Sequence, residues 1–342
     1  MNSLKNILIV RTDRIGDVVL SLPLAAILRK HFPGVRISFL VRDYTAPLIK
    51  NNKFVDEVLI LSEKNGKPQI AKNVAALKNK FDACIAAFPT YPIALILFLA
   101  GIRNRIGSGY RWYSFLFNKK VFEHRKYGER HELEYNVRLL QQLGINEEVN
   151  PNNAEFGIQI DQSTNEKVER KLNSLGWNGE KKLIVVHPGS GGSAIDLPKE
   201  KMKLLVKNIS NETDSVLIIT GSKTEEELCN SYVVSKKVIN TAGMFNLEEL
   251  IALISNANIL IANSTGPIHI AAALGKDVIG FYPKFAAVSP KRWGPYSSKA
   301  KIFQPIICDG ECSRDKCQKL NCMNSIEIDE VFSVVKEILK RN

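Results

Sequence analysis

The chain has 342 residues, 45% of them hydrophobic and 24% charged, with a formal net charge of +12. That composition is globular and excludes a disordered or collagenous chain, and the length suits two domains better than one. The longest apolar run, residues 93–102, falls far short of the about 20 residues of a membrane-spanning helix. Residues 7–10 are the only apolar run before charge at the start, too short for a signal peptide, so the chain is expected to be soluble and cytoplasmic.

The charge is uneven. Residues 1–150 hold 23 Lys/Arg against 13 Asp/Glu, whereas residues 151–342 hold 24 against 22. A basic half either serves solubility or attracts an anionic partner: nucleic acid, an acidic membrane surface or a phosphorylated substrate. No aromatic-rich RNP strand, zinc finger or basic zipper accompanies the charge, so nucleic acid is not the expected partner.

In chain order, residues 7–10 read as a buried strand and 17–31 as a helix ended by Pro33-Gly34. Strands follow at 35–41, 55–61 and 83–87, with helical stretches between the later ones. Residues 146–163, rich in Asn and Glu and holding Pro151, suit a linker. The alternation then resumes, with strands at 182–187, 215–220, 259–262 and 277–282. Helices are expected at 198–209, 225–234, 246–255, 268–274 and 329–341, the last able to pack on either domain. Alternating strands and helices predict parallel sheets covered on both faces, in two Rossmann-like domains over 1–155 and 156–342.

Four turns at expected strand ends could carry chemistry. Residues 11–17, Arg-Thr-Asp-Arg-Ile-Gly-Asp, follow the first strand, and Gly16 permits close backbone approach where a helix start favours anions. Asp17 fits either a ligand-facing acid or a carboxylate answering the helix dipole, and Asp13 fits the second role as well. The spacing is not G-x-G-x-x-G and no P-loop occurs, which disfavours a dehydrogenase or an NTPase. Residues 187–193, His-Pro-Gly-Ser-Gly-Gly-Ser, could wrap phosphate oxygens or simply turn the chain. Residues 263–269, Asn-Ser-Thr-Gly-Pro-Ile-His, suit a capped helix start with His269 in reach of a phosphate. Glu225, in residues 220–227, either compensates a helix dipole or accepts ribose hydroxyls.

Cys308, Cys312, Cys317 and Cys322 lie within fifteen residues. They could hold a structural zinc, although the spacing lacks a C-x2-C knuckle, or stay reduced thiols as the cytosol favours. Cys84 and Cys229 read as core.

Taken together the motifs resemble glycosyltransferase family 9, the lipopolysaccharide heptosyltransferases. The matching pieces are R-x-D-R-I-G-D-V-V-L-S-L-P at 11–23, R-I-G at 105–107, H-P-G-S-G-G-S-A at 187–194, A-G at 242–243 and N-S-T-G-P-I-H-I-A-A-A-L-G at 263–275. The resemblance implies a GT-B fold with an N-terminal acceptor domain, a C-terminal donor domain and parallel sheets facing a central cleft. It implies inverting transfer of a sugar, foremost heptose from ADP-heptose, onto a lipopolysaccharide core or a related anionic, lipid-linked glycan. No metal or other cofactor is expected, and contact with the inner membrane surface would be peripheral.

On the same basis Asp17 matches the general base. Ser190, Ser264, Thr265, Gly266 and His269 match the diphosphate site, Glu225 the ribose ligand and Phe245 the adenine lining. Arg103, Arg105 and Arg111 are the basic candidates for the acceptor. Two departures stand out: Ile195 and Leu197 occupy positions where the family commonly has Lys and Trp, and Ser264 replaces an Asp of some members. A catalytically silent nucleotide-sugar binder, or a transferase of a different nucleotide sugar, is therefore the alternative.

Overall fold

The computed structural model describes residues 4–307 and 313–341. The chain forms two compact units, Met1–Lys126 with Arg130–Gln159, and Tyr127–Glu129 with Ile160–Asn342.

In the first unit β1 (Asn6–Val10) leads to α1 (Ile15–Val19), α2 (Pro23–His31), β2 (Arg36–Val41) and β3 (Glu57–Ile60). A short antiparallel hairpin, β4 (Glu63–Lys64) and β5 (Lys67–Pro68), precedes α3 (Ile70–Leu77). Then come β6 (Ala83–Ala86), α4 (Tyr91–Leu99), β7 (Asn104–Ser108), β8 (Lys119–Val121) and α5 (Glu132–Arg138). The sheet order is β3-β2-β1-β6-β7-β8, with every pair parallel. Residues 7–10 of the central strand are fully buried, as a strand covered on both faces requires.

The single helix expected over residues 17–31 is two helices. Pro23 has no N–H to give the preceding turn, so it opens α2 instead of continuing α1. The intervening turn is held by the Ser21 hydroxyl, which donates to the Asp17 carbonyl at 2.9 Å.

The second unit opens with α6 (Gln162–Ser174), whose N-cap Asp161 accepts from the Thr164 N–H. β9 (Leu183–His187), α7 (Lys199–Glu212), β10 (Val216–Ile219), α8 (Glu226–Asn230), β11 (Val238–Asn240) and α9 (Leu247–Asn256) follow. Next are β12 (Ile259–Asn263), α10 (Gly266–Ala273), β13 (Asp277–Phe281), α11 (Pro290–Trp293), β14 (Ala300–Phe303), α12 (Arg314–Lys319) and α13 (Ile328–Arg341). The order β11-β10-β9-β12-β13-β14 repeats that of the first unit and is again all parallel.

The last helix packs within the second unit. Val331, Phe332, Val335 and Ile338 of α13 lie in one apolar cluster with Met202, Val206 and Ile209 of α7. At positions i, i+1, i+4 and i+7 these residues fall on one face of α13.

Candidate active site

In each sheet the strand order reverses beside the first strand. β1 has β2 on one side and β6 on the other, and β9 has β10 on one side and β12 on the other. At such switch points neighbouring loops diverge and leave room for a ligand beyond the strand ends. Asp17 lies in α1, which follows β1, and the candidate phosphate residues lie in the turn after β9 and in the segment that leads from β12 into α10.

The turn after β1 is built around Arg11, whose side chain is buried. Its Nε donates to Asp13 at 2.7 Å and one terminal nitrogen donates to Asp17. The other terminal nitrogen lies 3.5 Å from Glu132. Arg125 donates to the same Glu132 oxygen, and both arginines donate to Oδ1 of Asn136. Asn136 in turn donates to the Leu20 carbonyl and the Ser21 hydroxyl, which fixes the turn that carries Asp17. α5 presents Glu132 and Asn136 from a start closed by a His131–Glu134 capping box.

Three carboxylates here face two guanidinium groups, and the surplus falls on Asp17. Burial raises its pKa to about 6; Arg11 works against that, while Asp13 and Glu132 reinforce it. Burial disfavours charge on Arg11 too, but Asp17, Asp13 and Glu132 outweigh it and hold Arg11 protonated. A carboxylate with a pKa near 6 is mostly ionised at pH 7 and is a stronger base than an ordinary aspartate. Asp13 and Asp17 both pair with Arg11, and Asp17 is the one whose burial lifts its pKa.

In the second unit Asn263, at the end of β12, stitches two turns together. Its amide donates to the Pro188 carbonyl at 2.6 Å, and its oxygen accepts the Leu197 N–H at 2.8 Å. The Ser193 hydroxyl reaches both the Ser190 and Ser264 carbonyls. The Ser190 turn is therefore joined to Ser264, from which the chain runs through Thr265 to Gly266 and His269 of α10. Thr265 is the N-cap of α10, but its side chain makes no capping hydrogen bond, and Pro267 stands in the first turn. The first N–H groups of that helix, other than that of proline, are the kind an anion satisfies.

Glu225 joins the same group from the end of β10. Its Oε2 accepts from the Ser222 N–H and hydroxyl, in a capping box. Its Oε1 lies over Gly189 so closely that a Cβ there would run into it. Burial works against the charge on Glu225, but Ser222 and nearby His187 keep its pKa below the usual carboxylate range. His187 is pushed down to about 4 by burial and is neutral at pH 7, with Nδ1 2.9 Å from the Thr220 hydroxyl. Phe245 follows β11 directly before α9, half-buried, with the Lys171 ammonium over its ring.

The position that resemblance assigns to a lysine is apolar in fact. Ile195 packs against the α7 and α13 core and against a small cluster of Phe285, Cys317 and Cys322. A cation reaches the turn by another route, one that sequence reasoning missed. Arg314, in the first turn of α12, donates to the Gly192 carbonyl at 2.6 Å and the Ala194 carbonyl at 3.1 Å. Asp196 in the same segment is half-buried; burial raises its pKa, and the Ser190 hydroxyl and N–H, with Arg314 behind them, oppose the rise.

Of the three basic candidates for the acceptor, Arg103 and Arg111 are exposed. Arg105 instead serves its own unit, donating to the Leu116 and Ile102 carbonyls. Cys317 and Cys322 are buried in the cluster with Phe285, and Cys308 and Cys312 lie outside the described residues. Among the described residues no group of three or more His, Cys, Asp or Glu side chains is placed to hold a metal ion, and no helix is long and apolar enough to cross a membrane.

Two all-parallel α/β units, each with a switch point beside its first strand, have the architecture of the GT-B glycosyltransferases. The sequence profile of glycosyltransferase family 9 (heptosyltransferase) matches residues 70–323, and the chain belongs to that family. A Haemophilus influenzae protein is 30% identical over 87% of this chain and 88% of its own. Lipopolysaccharide heptosyltransferase 1 of Campylobacter coli is 25% identical over 97% of this chain and 98% of its own. The solved structure of Escherichia coli ADP-heptose lipopolysaccharide heptosyltransferase II superposes with a TM-score of 0.78, covering 98% of this chain and 99% of that one at 20% identity.

Proposed function

We propose that this enzyme transfers heptose from ADP-heptose, with inversion, onto a lipopolysaccharide core or a related lipid-linked anionic glycan at the inner membrane surface. The first unit takes the acceptor and the second the donor. Asp17 removes the proton of the acceptor hydroxyl as that oxygen attacks the anomeric carbon, and the bond to the diphosphate breaks on the opposite face. The N-terminus of α10, with Ser190, Ser264, Thr265, Gly266 and His269, receives the diphosphate. Glu225 takes the ribose hydroxyls and Phe245 borders the adenine. Arg314 supplies the cation that Ile195 does not, so the departing charge can be met without a metal. Arg103 and Arg111 meet acceptor phosphates.

The observation that carries the catalytic half is Asp17, a carboxylate raised to about 6 at the switch point of the first sheet. Purified protein incubated with ADP-heptose and a Kdo-lipid A acceptor should release ADP, and Asp17→Ala should abolish that release while the fold persists. Absence of turnover with every ADP-, UDP- and GDP-sugar would overturn the reading. Ile195 favours one alternative, a silent member that binds a nucleotide sugar. Calorimetry showing tight donor binding without turnover, unchanged by Asp17→Ala, would establish it.

A further inference from the structure

Residues 83–122 contain no Asp or Glu, but do contain Arg103, Arg105, Arg111, Lys119 and Lys120. The same stretch carries the strongest concentration of exposed apolar side chains. All nine residues of α4 are uncharged. Its inner face, Ile93, Ala94, Ile96 and Leu97, is fully buried, while Tyr91, Phe98 and Leu99 stand outward and exposed. A surface helix ordinarily turns a polar face to water; this one does not.

The connection from β7 to β8 extends that face. Trp112 is 72% exposed and Phe115 67% exposed. Trp112 stacks on Tyr91 with ring centroids 4.9 Å apart. Arg105 lies over the Phe98 ring at 5.2 Å and donates to the Leu116 carbonyl at 2.7 Å, beside Phe115. These contacts fasten helix and connection into one continuous surface, with Arg103 and Arg111 at hand. An exposed apolar patch of this kind marks an interaction site, not a tolerated accident.

We propose that the outer face of α4, together with Trp112 and Phe115, seats the protein on an anionic lipid bilayer. Tryptophan and tyrosine favour the headgroup level, phenylalanine and leucine reach the acyl boundary, and cations nearby meet acidic headgroups. A helix of nine residues is too short to span and lies in the plane of the interface. The stretch has positive charge with no carboxylate to repel the headgroups, which fits a uniformly acidic surface better than the mixed charges of a protein partner. This face gives the lipid-linked acceptor reading its geometry, and rests on that reading for its purpose alone.

The test uses the full chain and vesicles without donor or acceptor, so its result is separate from that of the transfer assay. Flotation should show binding to phosphatidylcholine vesicles that contain phosphatidylglycerol, weak binding to phosphatidylcholine alone, and loss of binding at high salt. The double variant Trp112→Ser, Phe115→Ser should lower the partition coefficient by about 10-fold or more, with thermal unfolding lowered by no more than about a few degrees, since both side chains are largely exposed and Trp112 gives up its ring contacts with Tyr91 and Tyr113. Brominated lipid should quench tryptophan fluorescence in the parent and not in the variant. Failure to bind acidic vesicles, or binding that the double variant leaves intact, would overturn the proposal. So would loss of the face to concentration-dependent self-association, which would make a second copy its occupant.

Discussion

Arg11 and Asp17 form an ion pair in which the arginine is fully buried and the aspartate, on α1 beside the switch point, is half-buried. The pair is not balanced, because Asp13 and Glu132 also draw on Arg11. Turnover should therefore depend on pH through Asp17. The deprotonated form is the base, so kcat/KM should fall as pH drops through about 6 and stay level above it until another group titrates. A pH–rate profile that is flat down to pH 4.5, about the range of an ordinary carboxylate, would remove Asp17 from the base role.

The same imbalance predicts a trade between activity and stability. Asp17 titrates near 6 in the folded chain against an ordinary value of 3.8. Folding thus favours the protonated acid, and that contribution is fully present below the ordinary value and lost as pH rises through 6. Asp17→Asn keeps the neutral shape at every pH. It should cost on the order of 10²–10⁴-fold in turnover while leaving the unfolding temperature at pH 7.5 the same or a few degrees higher. A marked fall in that temperature would mean the ion pair is structural, not catalytic.

Arg314 is expected to set donor affinity. Arg314→Ala removes two hydrogen bonds to the glycine-rich turn and the cation beside it. The donor KM should rise about 10-fold, consistent with loss of a charge-assisted contact of about 1.5 kcal/mol, and kcat should fall if the cation also meets the departing diphosphate. Adding Ile195→Lys to that variant should restore part of the loss. Ile195→Lys alone should bring less, because the arginine already fills the role.

The strands that form the centres of both sheets were legible as short apolar runs, because a strand buried on both faces has no polar alternation to disguise it. β7, β11 and β14 were not, being short or only half-buried towards the sheet edges, where apolar character is diluted. Asp17, Ser190 and Glu225 could be assigned to segments beyond strand ends because each follows an apolar run within a few residues. The partners that tune Asp17 could not. Glu132 and Asn136 come from a helix more than a hundred residues away, and a charged Arg11 in the interior reads as surface until its carboxylates are known. Arg314 was hidden for the same reason, since nothing local in α12 shows that its side chain reaches the turn at Gly192.

The close approach of Gly189 and Glu225 gives the most local test of the ribose site. The position needs no unusual backbone angle; what it lacks is room, because a methyl group would strike Glu225 Oε1. Gly189→Ala should therefore displace the carboxylate or the turn, with little effect on the core beneath. The donor KM should rise by about 10-fold, as expected when a hydrogen bond to a charged group is lost, with a smaller change in kcat. Glu225→Gln, which keeps shape but not charge, should raise KM less than Gly189→Ala does, and the two changes together should be less than additive because both act through one carboxylate. Additive effects in that double-mutant cycle would show that Gly189 acts on the phosphate turn by itself and that Glu225 has no part in it.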